Sequence, residues 1–204
     1  YIELPHYSVA LCENEDLLKY EGMTLGQIGK QENKHVVDVM LDIAIADNLL
    51  TTFQTPPMHL NPEHMKEILN TPFVIPGLSD GGAHMKFVWF ARFTTEHIVN
   101  WVRKHGIIDL ETAHWQLSAV PAMYAGLHDR GSIALDRPAD IIVYDYEALG
   151  WTPVEKVHDL PAGDWRKISK GVGYRYTIVN GEITFVDGEC TNKTPGKLLR
   201  FGKG

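Results

Sequence analysis

The sequence has few cysteines and no long apolar run. Its two cysteines, Cys12 and Cys190, lie far apart among 204 residues, which excludes a disulfide framework and a zinc ribbon. No segment approaches the roughly 20 consecutive apolar residues that a membrane-spanning helix needs. The chain also opens without Met and without the charged and apolar regions of a signal peptide. These features predict a reduced, cytoplasmic protein with no membrane partner.

Basic charge is also scarce. The chain has 19 Lys and Arg residues against 26 Asp and Glu residues, which gives a net charge of −7. A protein that binds nucleic acid needs basic side chains to neutralise phosphates, so this balance disfavours such a partner. The basic residues near the end of the chain, in residues 193–203, are mixed with Gly and Pro and predict a solvated tail.

Several catalytic motifs are missing. Ten histidines are present, but none forms His-x-His and none belongs to His-Glu-x-x-His. The sequence also has no phosphate-binding glycine loop and no Gly-x-Ser-x-Gly nucleophile motif. Candidate functional residues therefore have to be assessed one at a time.

The first part of the chain alternates predicted helices with short apolar runs. This pattern indicates an α/β arrangement in which residues 73–78 form a buried parallel strand. Residues 127–204 are instead rich in strand signals, so we expect a domain boundary between residues 126 and 127. Predicted helix caps are Thr24, Asn33, Asn61 before Pro62, Thr94 and Asp109, with an end at Gly106 and a break at Pro121.

The second part carries a clear hairpin signal. Asn180-Gly181 separates two alternating apolar runs, and this residue pair favours a type I′ turn because both positions need positive φ. A further Asp187-Gly188 turn follows. Two more short strands are predicted around a turn at residues 136–138.

The segment PGLSDGGAH, residues 76–84, contains the strongest candidate for chemistry. Asp80 follows the predicted strand, and in α/β folds ligands bind at the carboxyl edge of the sheet. A carboxylate there can bind a metal or accept a proton from metal-bound water. Gly81 and Gly82 would let the backbone approach a substrate, and Ser79 and His84 could contact it. The alternative is an ordinary Asp-Gly turn with a loop histidine, and residue spacing alone does not decide between them.

Two long elements around this segment resemble a known family. SDGGAH is followed by RGSIALDRPADIIVYD, then by an LPAG element, a VNG hairpin and a PGKLLR ending. Together they resemble the C-terminal part of the amidohydrolase superfamily, in the N-acyl-D-amino-acid deacylase (D-aminoacylase) branch. The resemblance implies an α/β fold: the C-terminal portion of a metal-dependent hydrolase (β/α)8 barrel plus a small β-sandwich segment.

The resemblance also implies a reaction. Such enzymes hydrolyse a non-peptide C–N bond in a small N-acyl substrate, using water activated by zinc or another divalent metal. Asp80 matches the family aspartate that helps to hold the metal and moves the proton to the leaving amine. Ser79, Gly81, Gly82 and His84 would then contact the substrate.

The sequence departs from the family pattern. The family's His-x-His pair is absent, and a complete barrel takes about 250 residues. A zinc site needs about three or four protein ligands, which Asp80 alone does not provide. We therefore expect a C-terminal part of a longer enzyme that is inactive alone.

Two other functions stay open. One is a cyclic amidase similar to dihydroorotase or hydantoinase. The other is a non-catalytic module that self-associates, because a partial barrel leaves apolar surface for a second copy or a missing N-terminal half to cover.

Overall fold

The computed structural model describes residues 3–56, 61–77, 79, 81, 86 and 90–202. Contacts between residues divide the chain into two compact units, Tyr1–Leu60 and Asn61–Gly204. The division at residues 126 and 127, expected from the change in composition, stays a prediction.

The first unit packs two helices against a short antiparallel strand pair and two 3-10 turns. Its buried core includes Val9, Leu25 and Ile28, which are at most 1% exposed. The elements, in chain order, are 3-10 turn Leu4–His6, β1 Ser8–Leu11, 3-10 turn Glu15–Tyr20, α1 Leu25–Glu32, α2 Val36–Ala46 and β2 Thr52–Gln54.

The two helices of this unit begin and end at side-chain caps. The predicted cap Thr24 is confirmed: its hydroxyl accepts from Gln27 N–H, and the Gln27 side chain accepts from Thr24 N–H, forming a capping box. Asn33 was expected to cap α2, and this prediction is wrong. Asn33 instead ends α1 in a left-handed conformation (φ 52°), and His35 caps α2 through its Nδ1 atom. A left-handed asparagine is a common way to end a helix.

A buried carboxylate joins three segments of the first unit. Asp47 is 1% exposed, and its oxygens accept from the backbone N–H groups of Glu13 and Asn14 and from the Thr51 hydroxyl. These donors offset the cost of burying the charge.

The second unit begins with helices. The predicted caps Asn61 and Asp109 are confirmed, since each side chain accepts from a backbone N–H in the first turn. Thr94 is not a cap, because α4 already begins at Phe93, directly after a 3-10 turn. The elements are α3 Pro62–Leu69, 3-10 turn Phe90–Arg92, α4 Phe93–Glu96, π-helical segment His97–Lys104, α5 Leu110–His114, π-helical segment Trp115–Ala119 and α6 Val120–Tyr124.

The helix break expected at Pro121 is not observed. Pro121 lies inside α6, and the helical backbone runs without interruption from α5 to α6. A proline lacks the N–H of a helical bond, and its ring clashes with the carbonyl four residues earlier. Here Pro121 is the second residue of α6 and directly follows a π-helical turn, where the four-residue hydrogen-bond pattern is already interrupted. Among the described residues, no helix is long and apolar enough to cross a membrane.

The strands of the second unit form antiparallel pairs. A four-stranded sheet has the order β10-β9-β8-β3, and two small two-stranded pairs join β4 to β7 and β5 to β6. The strands are β3 Ile141–Tyr144, β4 Gly150–Trp151, β5 Glu155–Val157, β6 Arg166–Ile168, β7 Gly171–Val172, β8 Tyr174–Val179, β9 Glu182–Val186 and β10 Glu189–Cys190, with a 3-10 turn at Pro161–Gly163 between β5 and β6.

The predicted hairpins are confirmed. Asn180 and Gly181 have φ values of 47° and 82°, as a type I′ turn between β8 and β9 requires. The Asp187-Gly188 turn joins β9 to β10 in the same way. The strand expected before residue 136 is absent, since only β3 forms there, and Ile133 and Leu135 are exposed.

The expected parallel barrel strand is not observed in the described residues. Residues 73–77 are not in a strand, and Phe73 is 86% exposed. All pairs between the named strands are antiparallel, and no closed barrel is seen in the part of the chain that the structure describes. A strand forms only beside a partner, and residues 73–77 have none here. The expected barrel and sandwich are therefore not confirmed.

The end of the chain is exposed, as expected for a solvated tail, since residues 193–202 are exposed except for the partly buried Pro195. Two hydrogen bonds nevertheless hold it to the second unit. The Asn180 side chain donates to the Pro195 carbonyl, and the Gly202 N–H donates to the Gly126 carbonyl at 3.1 Å. Gly126 has a φ of 68°, and a Cβ there would lie 2.7 Å from the Phe201 ring.

A buried polar network lies in the core of the second unit. Gln116 Nε2 donates to the Leu69 carbonyl at 2.6 Å, and Gln116 Oε1 lies 3.1 Å from His97 Nε2. His97 and Gln116 are 5% and 4% exposed. Because the amide nitrogen already donates to Leu69, its oxygen accepts, and the His97 proton is assigned to Nε2.

His97 is expected to make folding sensitive to acid. Burial lowers the pKa of His97 below its ordinary value of 6.5, while the hydrogen bond that His97 donates to Gln116 opposes the shift. The unfolded state therefore binds the proton first as the pH falls. We expect full stability above about pH 6.5 and a loss of at most about 1.4 kcal/mol per pH unit below it.

Urea unfolding of the wild type and of His97→Gln, from about pH 7.5 to about pH 5, measures this dependence. The variant should show a shallower loss of stability as the pH falls. His128→Gln replaces an exposed histidine and should retain the wild-type slope. Equal slopes in the wild type and His97→Gln would contradict the assignment.

Candidate functional site

The structure describes part of the PGLSDGGAH segment. Ser79 is partly buried, and its hydroxyl oxygen accepts from the Gly81 N–H at 3.0 Å. Asp80, Gly82 and His84 lie outside the described residues, so their predicted roles stay predictions. Of the five predicted site residues, the structure describes Ser79 and Gly81, and it brings these two together.

Position 81 requires glycine because there is no room for a side chain, and not because its backbone angle is unusual. A Cβ at this position would lie 2.8 Å from Ser79 Oγ and 3.0 Å from the Ala91 Cβ. The close approach seen here is between two parts of the protein, the loop and the 3-10 turn before α4. The approach of Gly81 to a substrate stays a prediction. This contact fixes the distance between the loop and the start of the helix.

Arg92 anchors the 3-10 turn that follows this segment, and sequence reasoning did not identify it. Its Nε donates to Glu96 at 2.7 Å, its Nη1 donates to Ser169 Oγ at 2.8 Å, and its guanidinium lies 4.9 Å from the Trp151 ring centre. Ser169 Oγ in turn donates to the Thr152 carbonyl. The Arg92 side chain is 13% exposed, so solvent weakens these contacts little.

Lys86 links the segment to a distant loop. Its Nζ lies 2.6 Å from Asp164 Oδ1 and 5.1 Å from the Trp165 ring centre. The hydrogen bond from Lys86 lowers the pKa of Asp164. Both charged side chains are roughly half exposed, so the pair adds little stability by itself. It does place Lys86, just after SDGGAH, beside the loop that carries LPAG.

The described residues do not provide a metal site. Zinc requires about three or four nitrogen, sulfur or oxygen ligands from the protein. Residues 3–56, 61–77 and 90–202, with residues 79, 81 and 86, contain no group of three or more His, Cys, Asp or Glu side chains that could hold a metal ion. The described donor set therefore does not fit a zinc centre.

Comparison with known proteins defines the family. The family model described as "Amidohydrolase family" matches residues 29–185. This range is more than half of the chain and includes the whole PGLSDGGAH segment. The chain belongs to the amidohydrolase family, which confirms the family predicted from the sequence.

The relatives are deacylases. The chain is 29% identical over 106 residues to an N-acyl-D-glutamate deacylase of Alcaligenes xylosoxydans xylosoxydans, a match that covers 52% of this chain and 20% of the relative. A D-aminoacylase structure matches with 19% identity and a TM-score of 0.49, covering 92% of this chain and 36% of the other.

A second solved structure is an N-acyl-D-glutamate deacylase of Bordetella bronchiseptica in complex with zinc and a phosphonate inhibitor. It is 20% identical, with a TM-score of 0.49, and the match covers 92% of this chain and 37% of the other. The chain thus spans about a third of the length of these solved relatives.

The close contact at Gly81 predicts a position-specific effect of alanine. Gly81→Ala would force Ser79 and Ala91 apart, so we expect the free energy of unfolding to fall by about 1–3 kcal/mol. Gly77→Ala is the matched control, because a Cβ there meets no described atom within 4 Å. It should leave stability unchanged or raise it by less than about 1 kcal/mol. Similar values for the two variants in urea unfolding would contradict the contact.

Proposed function

We propose that this chain carries part of the catalytic machinery of a hydrolase that cleaves the C–N bond of an N-acyl-D-amino acid. The observation that carries the proposal is the family match over residues 29–185, which spans Asp80 and its neighbours. The sequence similarity to an N-acyl-D-glutamate deacylase supports the substrate class.

In the proposed reaction, Asp80 acts as the acid and base. Its carboxylate accepts a proton from the attacking water and donates that proton to the amine that leaves. Ser79, Gly81, Gly82 and His84 are proposed substrate contacts. A divalent metal such as zinc would activate the water in the longer protein, but no described residues are assigned to it.

The surroundings of the loop support a role in positioning. The contact of Gly81 with Ala91 and the ion pair of Lys86 with Asp164 lie on either side of residues 82–85. Arg92 then joins the following turn to Trp151 and Ser169. Such anchoring suits a loop whose side chains must be held in a productive geometry.

We further propose that the chain does not catalyse this hydrolysis alone. The sequence contains no His-x-His pair, the metal-binding motif that the resemblance to the D-aminoacylase branch implies. Self-association, the non-catalytic alternative, stays a prediction that sedimentation at several concentrations would test.

A chimera tests the role of Asp80. Residues 29–185 would replace the matching segment of the Alcaligenes deacylase, and release of D-glutamate from N-acetyl-D-glutamate would be measured. We expect turnover by the chimera and a loss of at least about a hundredfold in kcat for Asp80→Asn, because general acid–base catalysis contributes that much. The matched control Asp136→Asn lies in a turn with a φ of 62°, which asparagine tolerates, and should retain activity.

Two outcomes would contradict the proposal. Full activity of the Asp80→Asn chimera would remove Asp80 from the reaction. Hydrolysis of hydantoin or dihydroorotate rather than N-acetyl-D-glutamate would favour the cyclic amidase. We expect the 204-residue chain alone, with added zinc, to show no turnover. Turnover that disappears in Asp80→Asn would contradict the proposal that the chain is inactive alone.

A further inference from the structure

A cavity lies in the first unit, between the 3-10 turn Glu15–Tyr20 and the two helices. Its volume is about 160 Å³. An apolar cavity of about 150 Å³ is large enough to hold benzene. The inner wall consists of buried side chains that are at most 8% exposed, namely Leu17 and Tyr20 from the 3-10 turn, Ile28 from α1, and Val39 and Ile43 from α2.

Charged side chains surround the mouth of this cavity. Its exposed lining residues are Glu32 at the end of α1, Lys34, Asp42 and Ala46. We name Glu32, Lys34 and Asp42 the mouth residues. Two carboxylates and one ammonium group leave one negative charge at the mouth, directly beside the apolar wall.

The mouth carboxylates are held in place by described contacts. The Tyr20 hydroxyl donates to Glu32 Oε1 at 2.8 Å, and Lys34 Nζ donates to Asp42 Oδ2 at 2.8 Å. Because Tyr20 belongs to the wall, its hydroxyl keeps the Glu32 carboxylate beside the cavity. A carboxylate accepts hydrogen bonds at about four positions, so both groups can accept further bonds from a ligand.

The mouth stabilises a positive charge. The hydrogen bond and the charge of Asp42 raise the pKa of Lys34, and the Glu32 charge adds a smaller increase. The Lys34 and Asp42 side chains are 50% and 56% exposed, so solvent screens their ion pair and it adds little stability. The Lys34 ammonium can therefore turn into solvent at little cost, which leaves both carboxylates to another cation.

We propose that the cavity binds a small organic amine, with an apolar body against the buried wall and a protonated amino group at the mouth residues. The apolar body would gain dispersion contacts that the empty cavity lacks. A carboxylic acid of the same size would be repelled by Glu32 and Asp42, and a neutral molecule would use the wall without the charges.

This binding is independent of the proposed hydrolysis. The residues that line the cavity lie between positions 17 and 46, in the first unit, whereas Asp80 belongs to the second. Amine binding requires neither Asp80 nor turnover, so the two proposals can fail separately.

The test is a titration of the 204-residue chain with benzylammonium chloride, followed by the δ1 methyl signal of Ile43 in NMR. Ile43→Val removes that methyl group and so assigns the signal. We expect a saturable shift with a dissociation constant of about 1 mM, as suits so small a ligand. Benzyl alcohol, a neutral analogue of the same shape, should bind about tenfold more weakly, because it forms no charged hydrogen bond. Benzoate should produce no shift.

Substitutions of the mouth residues should change the affinity in opposite directions. Glu32→Gln and Asp42→Asn each remove a carboxylate and should weaken benzylammonium binding about threefold or more, whereas Lys34→Gln removes a competing cation and should strengthen it. Asp38→Asn is the matched control, because Asp38 is exposed on α2 and is not a lining residue of the cavity. It should bind benzylammonium as the wild type does.

Ala46→Leu tests the location of the site. Ala46 is exposed at the end of α2, so a leucine there should fill the mouth and abolish the shift without disturbing the buried wall. Far-UV circular dichroism checks the folding of each variant, and the mouth substitutions give independent results if one of them impairs folding. An absent benzylammonium shift, equal affinity for benzyl alcohol, weaker binding by Lys34→Gln, or equal binding by Glu32→Gln, Asp42→Asn and Asp38→Asn would overturn the proposal.

Discussion

The buried amide of Gln116 is the interaction on which the helical part of the second unit depends. Its nitrogen donates to the carbonyl at the end of α3, and its oxygen accepts from His97 after α4. Residues 70–96, which contain PGLSDGGAH, therefore start and finish at the same buried side chain. A buried amide that lacks one of its partners costs more free energy of folding than either hydrogen bond of Gln116 contributes. The nitrogen and the oxygen of this amide therefore both need their partners.

From these fixed ends, a few polar and aromatic contacts position the intervening loop. Arg92 and Lys86 each combine an ion pair with a contact to a tryptophan ring, at Trp151 and Trp165. The Arg92 contacts are the more shielded from solvent and so the stronger. Lys86 and Arg92 thus join this region to two different strand pairs that are far from it in sequence.

The features that the sequence predicts correctly are local. The Thr24 and Asn61 caps and the Asn180-Gly181 turn depend on residues within a few positions of each other. Some local predictions fail, at the Asn33 and Thr94 caps and at Pro121. The errors that concern the candidate site involve partners that are distant in the chain. The strand expected at residues 73–78 needs neighbouring strands, and the contacts of Lys86 with Asp164 cross almost eighty positions, which no local pattern encodes. Asp80, the residue that carries the family resemblance, stays a prediction.

The contact between Gly202 and Gly126 has a consequence for the order of folding. It closes a loop that contains every described strand of the second unit, and the chain entropy lost on closure has to be recovered by contacts within that loop. Synthesis reaches Gly202 after all of these strands. The hairpins can form earlier, because their turns are local, but the strand-rich region is joined back to the helices only when the residues around Gly202 have emerged.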